Sequence, residues 1–330
     1  MRNEIMNEPE FSKSTVDQQF AVFYNLENLY SVDYLITTKN GNRVPALKNW
    51  TEKRYQNKIH KIAHVFELVK EDKGQLPFLI GVSEIQGEQP LQDLLKLEPF
   101  SGNFGYVHYD SMDERGVDVA LLYDRNEIEI ISSEPISFFF EIVDENPENY
   151  DTTRDVLYCK FKYRGELLHT FVLHLPSKRD QDINLPKRKY ILNEIKERIV
   201  GLTKEQGGAV MILGDFNDNP NSENVQNFLN VPDSETRLFN PFSQVYQDRI
   251  FSNFHSKFGL LFDQIIISKE FFDGVFPLQF RKAEVFKPMK IMDWDKRFHG
   301  RPFRTYAGTR YIGGYSDHFP VIMSLENIKR

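Results

Sequence analysis

Short apolar segments recur throughout the 330-residue chain, and most of them have the length of a β-strand rather than of a helix. Two longer segments, 51–74 and 184–202, carry apolar residues at helical spacing, and shorter helices are predicted after Pro90 and over 222–229. This mixture predicts one α/β domain in which helices pack outside a strand-rich core. The predicted strands cover residues 20–24, 77–85, 116–124, 155–163, 167–175, 209–215, 261–268 and 319–325.

The charge balance limits the kinds of partner that the chain can bind. It has 41 Lys and Arg residues against 48 Asp and Glu residues, which gives a net charge of −7 at pH 7. That balance argues against a broad basic face that would wrap nucleic acid, but it leaves room for a local basic groove. The single cysteine, Cys159, excludes an intrachain disulfide and a cysteine-rich metal site.

The first residues of the chain are polar. Residues 1–18 contain no apolar core of a signal peptide, and no segment is long and apolar enough to span a membrane. We therefore expect a flexible N-terminal segment over 1–18, a single domain over 19–330, a monomer and a cytoplasmic location. If a signal had been removed from the chain, the location would instead be secreted or periplasmic.

Polar side chains that can carry chemistry stand at the ends of the predicted strands. Each of them alone has an ordinary explanation, such as a turn, a solvated carboxylate or a histidine satisfied under a loop. Together they are harder to explain, because buried charges are costly unless they are paired or bind a metal, and a turn does not need histidine. These residues are Asn25, Glu84, His174, Asp215, Asn217, Asp263, Asp317 and His318.

This set of side chains favours one class of reaction. Asn, Glu and Asp oxygens are ligands for a hard cation such as Mg²⁺ or Mn²⁺, and no His and Cys cluster has the spacing of a zinc site. A hard cation beside histidines suits hydrolysis of a phosphate ester, because the cation neutralises phosphoryl charge while a carboxylate or histidine activates water. The adjacent Asp317 and His318 are expected in the loop before the last strand, where both can turn into one site.

Several motifs occur in an order that resembles a known family. "YNLEN", "GVSE", "LHLPS", "ILGDFND", "FDQIIIS" and "SDHFPV" follow one another between about residues 20 and 325. In this order they are similar to the endonuclease/exonuclease/phosphatase superfamily, whose members have a deoxyribonuclease I-like fold. "RGVDVALLY", "TTRD", "RPFRT" and "GGYSDHFPV" resemble a bacterial branch that has no firmly assigned substrate. The resemblance implies an α/β (α+β) fold, a four-layer α/β/β/α sandwich of two mixed β-sheets with outer helices.

The resemblance also implies a role for each matching residue. It makes Glu84, Asn25 and Asp317 the metal site, with Asn25 contacting metal or phosphate. Asp118 could pair with His174, and a role at the strand end is an equal alternative for it. Arg301 and Arg304 could bind the phosphate of the substrate, and a salt bridge at the rim of the site is the alternative for them. The implied catalytic residues are His174, Asp215, Asn217, His318 and the orienting Asp263, and the implied phosphate-binding residues are Arg154, Arg301 and Arg304.

We therefore expect a divalent-metal-dependent phosphodiester hydrolase, an endo- or exonuclease, with Mg²⁺ or Mn²⁺ as cofactor and a phosphate ester, nucleic acid among them, as substrate. "SEIQG" at Glu84 lacks the Gln-Glu-Thr element of the abasic-site repair branch and argues against that role. Trp294 and Phe298 could stack on a base or sugar, or could simply pack. The alternatives are a phosphatase, a phospholipid- or inositol-type phosphoesterase, and a non-enzymatic scaffold on the same fold.

Overall fold

The computed structural model describes residues 17–37, 42–141, 150–178, 181–231 and 235–328. Most of the predicted flexible segment therefore lies outside the described residues, while Gln18 already belongs to the first strand. The helices are α1 (Glu52–Lys73), α2 (Gln89–Leu95), α3 (Leu185–Gln206), α4 (Glu223–Leu229) and α5 (Phe242–Gln247), with single 3₁₀ turns at Lys269–Phe271 and Met289–Ile291. The strands are β1 (Gln18–Leu29), β2 (Leu35–Thr37), β3 (Arg43–Pro45), β4 (Leu79–Ile85), β5 (Phe104–His108), β6 (Asp118–Asp124), β7 (Ile128–Ile136), β8 (Phe139–Glu141), β9 (Tyr150–Thr152), β10 (Val156–Tyr163), β11 (Glu166–His174), β12 (Ala209–Asp215), β13 (Leu238–Phe239), β14 (Asn253–His255), β15 (Phe258–Leu260), β16 (Asp263–Ser268), β17 (Leu278–Val285), β18 (Tyr306–Ala307), β19 (Arg310–Tyr311) and β20 (Val321–Asn327).

Two six-stranded mixed sheets form the centre of the protein. The first has the strand order β17-β20-β1-β4-β6-β5, and the second has the order β13-β16-β12-β11-β10-β7. In each sheet the two middle strands are parallel, β1 with β4 and β11 with β12, and every other pairing is antiparallel. The carboxyl ends of each parallel pair lie at one edge of their sheet, which is where the polar strand ends were predicted to meet.

Helices cover the outer face of each sheet. α1 buries a stripe of apolar residues from Tyr55 to Val69, and the rings of Phe66 and Tyr24 lie edge to face with centroids 6.4 Å apart. α3 packs Ile191, Ile195 and other apolar residues on the far face of the second sheet. The layers therefore run helix, sheet, sheet, helix, and the predicted four-layer α/β/β/α sandwich is confirmed.

The two sheets pack closely against each other at Gly81 in β4. A Cβ atom there would lie 3.2 Å from Cβ of Leu213, 3.2 Å from the Phe23 ring and 3.3 Å from Val172. Leu213 and Val172 belong to the second sheet, so the lack of a side chain at Gly81 lets the two parallel pairs pack directly on each other. Their carboxyl ends are thereby brought together.

No helix in the described ranges combines the length and the apolar character that a membrane crossing requires.

Candidate active site

Four of the predicted residues stand at the carboxyl ends of the two parallel pairs. Asn25 and Glu84 come from the first sheet, and His174 and Asp215 are direct neighbours in the register of β11 and β12. The register of β12 and β16 adds Asp263 beside Asp215. Both sheets therefore deliver polar side chains to one place, as the sequence predicted.

Hydrogen bonds and close contacts join the two sheets at this place. Nδ2 of Asn25 donates to Oδ2 of Asp215 at 3.1 Å. Nε2 of His174 lies 3.6 Å from the same Asp215 oxygen and 4.0 Å from Oε1 of Glu84. Asn25, Glu84, His174 and Asp215 thus form one cluster that neither sheet could build alone.

Glu84 is held by an unusual backbone conformation. Its φ is 62°, and the register of β4 with its neighbours shifts at this point. Oε2 accepts a hydrogen bond from the Asn28 amide at 2.8 Å and lies 3.9 Å from the Arg115 guanidinium. Oε1 accepts no hydrogen bond among the described residues, so it is free to bind a ligand. A non-glycine residue at positive φ is strained, and such strain is common at functional sites.

His318 lies in the loop before β20, and Asp263 holds it from behind. Nδ1 of His318 is 2.7 Å from Oδ2 of Asp263, which also accepts a hydrogen bond from Ser252. Burial alone would lower the pKa of His318, but Asp263, together with Asp317 and Asp215, more than offsets burial and raises that pKa to about 10. His318 is therefore a cation at neutral pH.

His174 has the opposite character. Burial first, and then the positive charges of Arg154, Arg115 and His318, hold its pKa well below the usual range. Since Nε2 faces two carboxylates, the neutral ring carries its proton on Nε2, and the buried Nδ1 has no hydrogen-bond partner. The site thus contains one charged and one neutral histidine.

Asp215 lies between the two histidines. Burial first, and then the nearby Asp263 carboxylate, raise its pKa to about 7. Oδ1 accepts the backbone N–H of Asn217 at 2.9 Å. Asn217 has a φ of 49°, and its own Nδ2 donates to the Leu175 carbonyl at 2.8 Å. The "GDFND" segment is thus folded back on its own carboxylate.

The structure places Asp317 apart from this cluster. Its carboxylate is 3.3 Å from Nη2 of Arg304 and forms an ion pair with that residue. The two neighbours in "SDHFPV" thus turn different ways, His318 to Asp263 and Asp317 to Arg304. The assignment of Asp317 to the metal site stays a prediction.

The three predicted phosphate-binding arginines do not lie together. Arg154 is buried behind His174, where Nη1 donates to the His174 carbonyl at 3.4 Å and Nε lies 3.7 Å from Asp113. Arg304 forms the ion pair with Asp317 that was the alternative for it. The Arg301 guanidinium lies over the Phe254 ring, 5.3 Å from its centroid.

Of the two alternatives for Asp118, pairing with His174 or a strand-end role, the described residues show no hydrogen bond between Asp118 and His174, and Asp118 is the first residue of β6. Asp118 accepts a hydrogen bond from Ser111, and Nδ1 of His174 has no partner. Asp118 instead shares a cluster with His108 and Asp110, in which His108 Nε2 is 3.2 Å from Asp110.

Comparison with known proteins assigns the chain to a family. A family model described as the endonuclease/exonuclease/phosphatase family matches residues 20–327. The chain belongs to the endonuclease/exonuclease/phosphatase family. Members of this family are phosphoesterases and typically use divalent metal ions. A sequence comparison with curated proteins gives no significant match.

Solved structures share the deoxyribonuclease I-like fold. Humanized TDP2 of D. rerio, with 14 mutations, has 14% identity and a TM-score of 0.57 over 94% of this chain and 99% of that one. A family protein from Bacteroides thetaiotaomicron has 15% identity and a TM-score of 0.58 over 96% and 100%. A mannosyl-6-phosphatase from the same organism has 16% identity and a TM-score of 0.56 over 93% and 99%.

The donor set at the cluster fits the divalent cation of this family. The free Oε1 of Glu84, with oxygens of Asn25 and Asp215 beside it, is the hard-donor chemistry that Mg²⁺ and Mn²⁺ prefer. Asp263 and His318 also lie within 4.8 Å of Asp215, but they are engaged with each other. Of the residues predicted for the metal site, Glu84 and Asn25 belong to the cluster and carry oxygens that would suit this cation.

Glu27 and Lys58 are buried charged residues that sequence reasoning missed. Glu27 accepts the backbone N–H groups of Thr305 and of Tyr306, the latter at 3.1 Å, while Lys58 donates to Thr305 Oγ1 at 2.6 Å and to the Tyr315 carbonyl. Burial first, and then the Asp317 carboxylate, raise the pKa of Glu27 to about 7. Burial, only partly offset by Glu27 and Asp317, lowers the pKa of Lys58 to about 8. A lysine on the apolar stripe of a helix was the available signal for Lys58.

Proposed function

We propose that this protein is a Mg²⁺-dependent phosphodiester hydrolase of nuclease type, with Mn²⁺ as the second candidate metal. The observation that supports it best is the cluster at the sheet ends, in which a buried carboxylate lies between a cationic His318 and a neutral His174. Titratable groups whose pKa values are pushed apart in one site are the usual sign of divided acid and base roles.

Asp215 is the proposed group that orients and deprotonates the attacking water. A carboxyl group with a pKa near 7 is a better base at neutral pH than an ordinary aspartate, provided it is ionised when the substrate binds. Hydrogen bonds from Asn25 and the Asn217 amide fix its two oxygens in direction. Bound at Glu84, a divalent cation would neutralise phosphoryl charge.

His318 is the proposed phosphate-binding cation. Its Nδ1–H is occupied by Asp263, so its Nε2–H is the group that can donate to a phosphoryl oxygen. The resemblance to the family leaves two roles for His318, general base or contact with phosphate. A pKa near 10 supports contact with phosphate, because a protonated ring cannot accept a proton from water. Neutral His174 donates through Nε2 from the other side of Asp215, with Arg154 behind it. Asn217 is proposed to stabilise the transition state.

Two observations bear on the substrate. One of the similar structures is of D. rerio TDP2 complexed with single-strand DNA product, which supports a nucleic-acid or nucleotide ester. A phosphomonoesterase is the second candidate, favoured by the net charge of −7 and by the similarity to a mannosyl-6-phosphatase. A single domain over 19–330, a monomeric state and a cytoplasmic location stay predictions.

A substrate panel tests the proposal. The purified protein with Mg²⁺ or Mn²⁺ is assayed on bis-p-nitrophenyl phosphate, single- and double-stranded DNA, sugar phosphates, inositol phosphates and sphingomyelin. We expect diester and DNA cleavage that EDTA, Asp215→Ala and His318→Ala each abolish. His60→Ala is the matched control, since His60 is exposed and bonds only to its own helix. Cleavage that survives all three changes contradicts the proposal, and a preference for monoesters selects the second candidate.

A further inference from the structure

A cavity of about 560 Å³ opens beside His318. Its lining does not include the clustered residues Asn25, Glu84, His174 and Asp215. Asp317, the neighbour of His318, forms part of its wall, as does Phe254. The residue before Phe254 is Asn253, whose side-chain amide lies 3.4 Å from Nε2 of His318. The cavity has the size of a small-ligand site, and a molecule in it would extend from the phosphate position at His318.

The wall of this cavity carries two arginines without an acidic partner. Arg297 is paired with Asp295, and Arg304 with Asp317. Arg301 and Arg310 line the same cavity and contact no carboxylate in the described ranges. In a chain with a net charge of −7, two unpaired guanidinium groups in one concave wall favour an anionic ligand, and arginine matches phosphate well.

Aromatic rings stand beside these arginines. Trp294 is 80% exposed and Phe298 is 41% exposed, although large aromatic side chains usually pack inside. The Arg301 guanidinium lies between two rings, 5.3 Å from the Phe254 centroid and 5.5 Å from the Phe298 centroid. Nucleobases stack on exposed aromatic rings and on arginine guanidinium groups whose orientation is fixed by neighbouring rings.

The segment that carries these side chains is closed by its own backbone hydrogen bonds, and Glu27 of β1 ties its end to the first sheet. The Asp293 amide donates to the Arg301 carbonyl at 2.8 Å, and the Phe303 amide donates to the Ile291 carbonyl at 3.0 Å. Buried Glu27 accepts the amides of the residues that follow Arg304. The cavity is therefore shaped before a ligand arrives, which lowers the entropic cost of binding.

We propose that this cavity is a subsite for one nucleotide unit next to the cleaved phosphodiester. Arg301 and Arg310 bind the flanking phosphate, and the exposed ring of Trp294 stacks on the base of this nucleotide, while Phe298 holds the guanidinium groups of Arg297 and Arg301. The inference rests on the proposed diesterase function and names its substrate class. A sugar monophosphate has only one phosphate, which the catalytic cluster would take, so it could not use both arginines and the rings.

A binding experiment without metal tests the subsite independently of catalysis. Trp294 is one of two tryptophans in the chain, so its fluorescence reports on the cavity. In EDTA, we expect thymidine 3′,5′-bisphosphate to quench this fluorescence and to bind at least about tenfold more tightly than ribose 5-phosphate, as one stacked base predicts. Arg301→Gln and Arg310→Gln should each weaken binding several-fold, while Arg237→Gln, an exposed arginine elsewhere, should not. Equal binding of the two ligands, or unchanged affinity in both cavity variants, overturns the subsite.

A kinetic comparison then separates the subsite from the catalytic cluster. For thymidine 3′-phosphate 5′-(p-nitrophenyl phosphate), which carries the flanking phosphate, Trp294→Ala and Arg301→Gln should each raise KM by about tenfold and leave kcat within about twofold. For bis-p-nitrophenyl phosphate, which has no nucleotide, both constants should stay near those of the unchanged protein. Equal losses on the two substrates contradict the subsite. Failure of the unchanged protein to cleave either one contradicts the proposed function, and the binding experiment still decides the subsite.

Discussion

Nδ1 of His318 lies 2.7 Å from Oδ2 of Asp263, and this contact joins the loop before β20 in the first sheet to the first residue of β16 in the second. Both residues are buried, so the pair is shielded from water. It fixes the direction of the ring and keeps the ring charged, which leaves Nε2–H to face a substrate. A carboxylate of one sheet thus orients and stabilises a charged histidine ring of the other.

Asp263→Asn is expected to remove the charge that keeps His318 protonated. The pKa of the His318 imidazole should fall well below about 10, because Asp263 makes the largest contribution that offsets burial, and Asp317 and Asp215 alone compensate for less of it. We expect kcat to fall by about 10²- to 10⁴-fold. NMR titration of the histidine ring signals measures the pKa directly. Asp110→Asn, at the other close Asp and His contact, is the matched control, and an unchanged His318 pKa would contradict the role of Asp263.

Stability of the metal-free protein should decline as pH rises. His318 has a raised pKa in the folded state, so its stabilising contribution is complete below the unfolded value of about 6.5 and is lost as pH rises toward about 10. Asp215 also has a raised pKa, about 7, so its protonated form favours folding at low pH and this contribution is lost as pH rises from about 4 through 7.

Urea unfolding in EDTA between about pH 5 and pH 9 checks this slope. His318→Gln should remove the decline in the free energy of unfolding above about pH 6.5. Asp215→Asn should remove the decline in that free energy below about pH 7. A stability that rises with pH over this range would show that other groups dominate.

Glu27→Ala is expected to destabilise the fold by about 3 kcal/mol, because it leaves Lys58 buried without its carboxylate and two backbone amides without acceptors. Glu27→Gln keeps an acceptor and the shape, so its cost should be smaller. The free energy of unfolding in urea measures both. Equal costs for the two variants would show that the side-chain volume, and not the acceptor, matters here.

Gly81→Ala is expected to cost about 1–3 kcal/mol by pushing the two sheets apart. The added methyl group would meet Leu213, Phe23 and Val172 at 3.2–3.3 Å. Gly201→Ala is the matched control, since a Cβ there meets nothing within 4 Å and α3 should gain about 0.5–1 kcal/mol. Chemical denaturation of both variants distinguishes them, and a neutral Gly81→Ala would mean that the sheets can move apart freely.

The central strands were predictable from the sequence because both of their faces are buried, which makes them continuously apolar. The long helices were predictable because each buries one continuous apolar stripe. β12 was predicted with its observed bounds, and the helix predicted over 51–74 is α1. The edge strands β5, β7 and β17 were missed. β7, for example, reads "IEIISSEPI", in which exposed polar residues interrupt the apolar pattern.

The site was predictable as far as it depends on strand ends and quoted motifs. Asn25, Glu84, His174 and Asp215 converge as expected. The Glu27 and Lys58 contacts join residues more than 240 positions apart, and no local pattern encodes such a contact. The directions of Asp317 and His318 depend on Arg304 and Asp263, which reach them only through the tertiary fold.

The two sheets have the same pattern of strand directions: the two central strands are parallel, and the strands on either side pair antiparallel. The protein therefore consists of two similar halves packed face to face. Asn25 and Glu84 lie where the regular pairing of β1 with β4 ends in one half, and His174 and Asp215 are the last residues of β11 and β12 in the other. A folding intermediate with only one sheet formed would hold only half of these groups. Under the proposed function, activity is therefore expected to return during refolding only after the two sheets have docked.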